Sequence, residues 1–219
     1  MKSLDLLAFD MDGVLADTSP CHAHAYDVLW QTIGITGPAY EDIAGRTTRE
    51  VIIAQTAHLL PDRETIQQWV ELKQKTARHI LQTNNYLFND THEAIETLCN
   101  DGFRLMVVTG ASRASCEIIL EMGGIREFFS DLVCAEDVTR GKPDPQGYHL
   151  AMQHAGCSEQ ETLIVEDSQS GIDAALASQA MVVSVRSELT SAAPNFLFSY
   201  VGLTECCKSL REQFRVGRR

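Results

Sequence analysis

A short, mainly apolar run from Leu4 to Phe9 delivers two aspartates one residue apart, Asp10 and Asp12, and then stops at Gly13. Apolar runs of this length bounded by a turn residue read as buried strands of a sheet covered on both faces. A buried strand ending in Asp-x-Asp must present those carboxylates at its carboxyl edge, where ligands bind in open α/β sheets. Carboxylates so close repel each other and need a cation or another positive group beside them. Taken alone, the stretch reads equally as an Asp-Gly turn with an incidental second acid.

The 219 residues suit one sizeable domain carrying an inserted subdomain. With 44% apolar and 22% charged residues the chain can bury a real core. A formal charge of −12 argues against nucleic acid or an anionic membrane as the main partner, and it obliges any anionic substrate to find a local positive device. Charged residues interrupt every apolar run before it reaches membrane-spanning length. The acidic start, Met1-Lys2-Ser3-Leu4-Asp5, is unlike a signal peptide, and the seven scattered cysteines, including the vicinal Cys206-Cys207, suit reduced thiols in a cytoplasm.

From about Asp17 to Asn89 the apolar spacing is helical, with breaks at Gly34, Gly37-Pro38, Gly45 and Pro61. This reads as an inserted helical subdomain of roughly 70 residues, with Trp30 and Trp69 in its core. Beyond it, strands alternate with helices: helix 91–101, strand 105–108, helix 112–122, strand 132–134, helix 145–155, strand 163–165, helix 170–178 and strand 181–185. Such alternation predicts right-handed crossovers and a doubly wound parallel, Rossmann-like α/β sheet. Residues 1–16 and 90–219 form this core and 17–89 the helical cap. The tail reads as an edge helix over 203–214, with 216–219 frayed.

The strand ends carry a short list of chemical groups: Asp10 and Asp12; Thr109 with Gly110, Ala111 and Ser112; Lys142 in Gly141-Lys142-Pro143-Asp144-Pro145; and Glu166-Asp167-Ser168. The carboxylates of Asp10, Glu166 and Asp167 are hard oxygen ligands suited to Mg²⁺. Lys142, Thr109 and nearby backbone N–H groups supply what a phosphoryl group needs. One aspartate can attack phosphorus while its neighbour handles the proton. Ser168 and Asp144 suit capping or support.

Asp10-Met11-Asp12-Gly13-Val14, Thr109, Lys142-Pro143 and Glu166-Asp167-Ser168, in that order, resemble the four motifs of the haloacid dehalogenase superfamily. The resemblance runs from about Leu4 to Val185. Glu166-Asp167-Ser168-Gln169-Ser170-Gly171-Ile172, and a cap inserted after the first motif, are most similar to the β-phosphoglucomutase and phosphoglycolate phosphatase branch. It implies Asp10 as nucleophile forming an aspartyl-phosphate, and Asp12 as general acid/base. Thr109, Gly110, Ala111 and Lys142 would bind the transferring phosphoryl. Mg²⁺ would be held by Asp10, Glu166, Asp167 and the backbone carbonyl of Asp12. Dehalogenases and phosphonatases lack an acid at the position of Asp12, which favours phosphate-ester chemistry.

In the cap, Asp17, His22, Arg46 and Arg49 match places where such enzymes meet substrate or steer closure. Lys73 or Lys75 could do so too; the alternative for these lysines and the arginines is a charged helix face, and for His22 a structural or solvated histidine. Asn89-Asp90 stands where the mutases have Pro-Gly. His79 and His92 show no metal-site spacing, and Cys206-Cys207 near a terminal helix reads as inert. The expectation is a Mg²⁺-dependent phosphohydrolase of a small phosphorylated metabolite, monomeric or homodimeric. A sugar-phosphate mutase with the same core residues and a catalytically silent binding protein are the alternatives.

Overall fold

A computed structural model describes residues 2–43 and 46–217. The chain divides into two compact units, passing from one to the other between Asp17 and Thr18 and returning between Asn85 and Tyr86. No helix of the described residues is long and apolar enough to cross a membrane. All seven cysteines are free.

The larger unit is a six-stranded parallel sheet. Its strands are β2 (Leu6–Phe9), β3 (Arg104–Val108), β4 (Phe129–Val133), β5 (Thr162–Glu166), β6 (Met181–Val185) and β7 (Phe196–Tyr200), in the spatial order β4-β3-β2-β5-β6-β7. Helices α4 (Thr91–Asn100), α5 (Arg113–Met122), α6 (Gln146–Ala155), α7 (Gln169–Ala177) and α8 (Leu203–Gln213) connect or flank them. β2 to β5 are inaccessible on both faces over most of their length: Leu6 and Ala8 face one side with Met106, Val108 and Ile164, and Leu7 and Phe9 are equally buried. Strands covered on both sides read as continuous apolar runs, which is why they were legible. Truncating one such side chain, as in Ile164→Ala, costs about 2–5 kcal/mol.

The register places the chemistry. Phe9 lies level with Val107 of β3 and Val165 of β5, so Asp10 emerges beside the ends of both neighbours. From β2 the chain builds outward through β3 and β4, then returns to lay β5 on β2's other side. That reversal of strand order is the switch point at which doubly wound sheets open a crevice beyond their carboxyl ends.

Three features depart from the sequence expectations. The first apolar run is not one strand: Leu4 ends β1 (Lys2–Leu4), and Asp5, whose N–H donates to Glu161 O, separates it from β2. β1 pairs in parallel with β8 (Phe214–Val216), so Val216 is ordered against Leu4 rather than frayed, and Gly217 N–H donates to Leu4 O at 2.9 Å. Arg218 and Arg219 lie outside the described residues. β7, a half-exposed edge strand with no clean alternation, was also unread.

The smaller unit is helical: α1 (Ser19–Ile33), α2 (Thr48–Thr56) and α3 (Arg63–Leu81). Thr47 and Glu50 form a capping box at the start of α2, and Asp62 caps α3 by accepting from Thr65 N–H. Its core is Tyr26, Leu29, Trp30, Ile43, Val51, Ile52 and Val70, with Trp69 packed against it. Trp30 stacks on Tyr26, ring centroids 5.5 Å apart. Ala44 and Gly45, the latter read as a break, lie outside the described residues.

Candidate active site

The hydrogen-bond ladders of the sheet continue one residue past the strands and so fix the backbone of the candidate residues. Asp10 N–H donates to Val165 O at 3.0 Å, and Thr109 N–H to Val133 O at 2.9 Å. After Asp10 the chain folds back on itself: Leu15 and Ala16 N–H both donate to Met11 O, and Gly13 N–H donates to Ala16 O. Met11 itself is fully buried, so Asp10 and Asp12 flank a residue anchored in the core.

Lys142 is the central cation. Its Nζ donates to Asp10 Oδ1 at 2.5 Å, Glu166 Oε1 at 2.6 Å and Val108 O at 3.1 Å, which uses all three ammonium hydrogens. The Lys142–Pro143 peptide that presents it is cis. Glu166, fully buried, also accepts from Tyr148 Oη at 2.5 Å on Oε1, and from Asp167 N–H and Ser168 Oγ on Oε2. Ser168 also caps α7, its Oγ accepting from Gly171 N–H. Asp144 likewise supports its own loop, accepting from Gln146 N–H.

Two glycines make room for these acids. A Cβ on Gly171 would fall 2.0 Å from the Glu166 carboxyl. One on Gly13 would fall 2.0 Å from Asp167 Oδ2, and Gly13 also has φ +84°, a conformation that disfavours any side chain.

Ligand oxygens of Asp10, Glu166 and Asp167 lie within 4.8 Å of one another. Burial, with Glu166 and Asp12 nearby, pushes the Asp10 carboxyl well upward against the pull of Lys142. Burial likewise opposes charge on Lys142, but Asp10 and Glu166 outweigh it and hold the ammonium well above its ordinary range. Asp167, half-buried beside Glu166, is pushed up to about 7 by its partial burial and that neighbouring carboxylate. One ammonium does not offset this many carboxylates, and further positive charge is what would keep them ionised together. Hard oxygens in this number and proximity fit Mg²⁺.

On the β3 side, Thr109 is buried and its Oγ1 accepts from Ala111 N–H at 3.0 Å, which leaves its own hydroxyl hydrogen to donate. Gly110 is exposed, and Ser112 caps α5 by accepting from Ser115 N–H. The backbone just before a helix is a favourable place for an anion.

Asp10, Lys142, Glu166, Asp167 and Thr109 are thus gathered at adjoining strand ends, with Asp12 two residues on. Asp17 is exposed, its N–H bonded to Tyr86 O. The remaining candidates belong to the helical unit. His22 Nδ1 faces Lys73 Nζ at 3.0 Å, and Lys73 is buried, its ammonium 4.6 Å from the Tyr26 ring centroid. Burial, aided by Lys73, lowers His22 to about 3, so the imidazole is neutral and accepts from the lysine. Arg46, Arg49 and Lys75 are exposed, and Arg49 donates to Gln67.

Tyr148 was missed by sequence reasoning. It sits six residues after Lys142 on α6 among core residues, and burial of its hydroxyl demanded a polar partner. That demand was the available signal, but not its direction.

A sheet that gathers Asp-x-Asp, Thr, Lys and Glu-Asp at its switch point defines a class, and comparison with known proteins defines the same one. Residues 7–185 match the family model of haloacid dehalogenase-like hydrolases. The chain belongs to that family and is a hydrolase of it. It is 31% identical over 189 residues to a phosphoglycolate phosphatase of Vibrio cholerae, covering 80% of this chain and 81% of the relative. It is 30% identical over 191 residues to a fructose-1-phosphate phosphatase of Escherichia coli, covering 82% and 95%. A crystal structure of a predicted phosphoglycolate phosphatase from Haemophilus somnus superposes with a TM-score of 0.84 at 19% identity, over 95% of this chain and 99% of that one.

Proposed function

We propose that this chain hydrolyses the phosphate monoester of a small phosphorylated metabolite, by way of Asp10. The observation that carries the reading is the Lys142 ammonium, held between Asp10 and Glu166 at the strand tips. Lys142 aims the Asp10 carboxylate and offers positive charge to an incoming phosphoryl. The Thr109 hydroxyl and the Gly110 N–H orient the phosphoryl oxygens, while the Ala111 N–H, bonded to Thr109 Oγ1, leaves that hydroxyl's hydrogen free to donate. Asp10 attacks phosphorus while Asp12 gives a proton to the leaving oxygen. Asp12 then takes a proton from the water that attacks the aspartyl-phosphate, restoring both acids.

Mg²⁺, held by the carboxylates of Asp10, Glu166 and Asp167 and the backbone carbonyl of Asp12, would supply the charge that offsets repulsion between carboxylate and phosphate. The relatives named above support a small phosphorylated substrate. Asp17, His22, Arg46 and Arg49 are the groups we assign to the non-reacting part of the substrate. Free thiols throughout suit a reducing compartment such as the cytoplasm.

The test is phosphate release from a panel of sugar phosphates, phosphoglycolate and p-nitrophenyl phosphate with Mg²⁺, in wild type and Asp10→Asn. We expect turnover in the wild type only, and a phosphorylated Asp10 peptide by mass spectrometry after rapid acid quench. Equal inactivity of both proteins across the panel would overturn the reading. Conversion of β-glucose 1-phosphate to glucose 6-phosphate without phosphate release would replace hydrolysis by phosphoryl return.

A further inference from the structure

The loop that carries Asp12 is gripped from behind by residues that the catalytic reading does not use. Arg186 follows β6 with φ 55°, a conformation uncommon for a residue with a side chain and a frequent mark of functional constraint. Its N–H donates to Tyr200 O at 3.0 Å, which fixes its backbone against the end of β7. The guanidinium then makes three contacts. Nε donates to Val14 O at 3.4 Å, inside the loop between Asp12 and Asp17. The plane lies 4.0 Å from the ring centroid of Phe88. Nη2 pairs with Asp90 Oδ1.

Asp90 is equally committed. Its Oδ2 accepts from Leu203 N–H at 2.9 Å and Thr204 N–H at 3.3 Å, the first turn of α8. Burial acts against its charge, but Arg186 and these N–H groups prevail and hold its pKa below the usual carboxylate range. Phe88 N–H and Thr91 Oγ1 both donate to Leu15 O, Asp17 N–H donates to Tyr86 O, and Ala16 bridges Leu87. The outgoing segment 14–17 and the returning segment 86–91 thus form one small ribbon, and Arg186 touches both halves of it.

We propose that Arg186 and Asp90 are positioning residues that latch this ribbon, so that the segment from Arg186 through α8 sets the aim of Asp12. This rests on the phosphatase reading for its catalytic consequence. Arg186 and α8 lie just beyond the family match, which ends at Val185, whereas Asp90 lies inside it.

Arg186→Met is the informative variant, because it leaves Asp90 in place to cap α8. With the phosphate-binding groups untouched, kcat on p-nitrophenyl phosphate should fall roughly ten- to a hundredfold while KM changes less than about twofold, as small misplacements of a catalytic group do. Arg186→Lys, which keeps the charge without the fork, should recover part of the loss. The double variant with Asp90→Ala should be no slower than the slower single variant, because both act through one latch. Unchanged kcat in Arg186→Met, or losses that multiply, would overturn the proposal. Hydrogen exchange supplies a readout that needs no substrate. Amides of Ala16, Asp17 and Phe88 should exchange at least ~10-fold faster in Arg186→Met. Unchanged protection overturns the latch whatever the wild type hydrolyses. Lost protection in a chain that hydrolyses no phosphate ester overturns the phosphatase reading instead, and with it the catalytic half of the proposal.

Discussion

The strand tips and the helical unit treat charge in opposite ways. At the tips, Lys142, Asp10 and Glu166 come from three distant segments and are hidden together, the lysine ammonium paired with both carboxylates. In the helical unit, Lys73 is hidden against a neutral His22, whereas Arg46 and Arg49 stand in solvent. Hidden, mutually oriented charges cost no reorganisation when a reaction begins, which is the arrangement that chemistry requires. Exposed arginines on a separate helical unit can be altered without disturbing a core, which is the arrangement that selectivity requires. If this contrast is functional, substitutions at the tips should change kcat, and those in the helical unit should change folding or preference.

The largest effect is expected at Asp12. Asp12→Ala should lower kcat by ~10²–10⁴, the usual contribution of a positioned general acid/base. The loss should be smaller for p-nitrophenyl phosphate, whose leaving group needs little protonation, than for a sugar phosphate. Equal losses on both substrates would remove Asp12 from its role as acid. Lys142→Met should cost about 10²–10³ in kcat, the scale seen when one preorganised charge-stabilising group is lost. Because it leaves Asp10 and Glu166 buried without their cation, it should also lower the urea midpoint; normal kinetics with normal stability would separate Lys142 from both.

His22 tests the other half of the contrast. Its folded pKa of about 3 lies below the 6.5 expected when unfolded, so the unfolded chain binds the extra proton first. Above pH 6.5 this has no consequence, and below it folding stability declines until the pH passes the folded value. Between pH 6.5 and 5 the loss attributable to His22 should approach about 2 kcal/mol. Comparing urea unfolding of wild type and His22→Gln across that window isolates it from the carboxylates. Parallel curves for the two proteins would show that His22 is not buried as a neutral acceptor.

What could be read from sequence follows the same division. Asp10, Thr109 and Glu166 were legible because each ends a run of residues buried on both faces, and such runs are the least ambiguous signal a chain carries. Lys142 was legible through its motif. Tyr148 was not, since α6 needed an aromatic core residue there in any case, and only the folded sheet shows its hydroxyl meeting Glu166. β1 and β8 were unreadable because three-residue strands from opposite ends of the chain have only each other as context. Asp90 was visible merely as a departure, its partners Arg186, Leu203 and Thr204 lying ~100 residues away.

Tyr148→Phe should have a smaller effect than these. It removes one of two donors to Glu166 Oε1 without leaving a cavity, a change of about 1 kcal/mol when a charged acceptor keeps other partners. We expect kcat to fall severalfold with the melting temperature nearly unchanged. An unaltered kcat would make the hydroxyl a passive core partner.

The smallest effect belongs to the exposed arginines, and it is the one that separates selectivity from chemistry. Arg49 is solvent-exposed, and it donates to the neutral Gln67. An exposed guanidinium facing an anion contributes ~0.2–1 kcal/mol, so Arg49→Ala should lower kcat/KM by at most about fivefold. The loss should fall on a substrate with a second anionic group, such as phosphoglycolate, and raised salt should shrink it in the wild type. On p-nitrophenyl phosphate, which has no second anion, the same variant should lose less, so the ratio of the two kcat/KM values is the quantity to measure. An unchanged ratio for Arg49→Ala and for Arg46→Ala alike would mean that neither arginine reads the substrate, and selection would have to be sought at Asp17 and in the residues around His22. A kcat lost equally on both substrates would instead draw these arginines into the chemistry and dissolve the contrast between the two units.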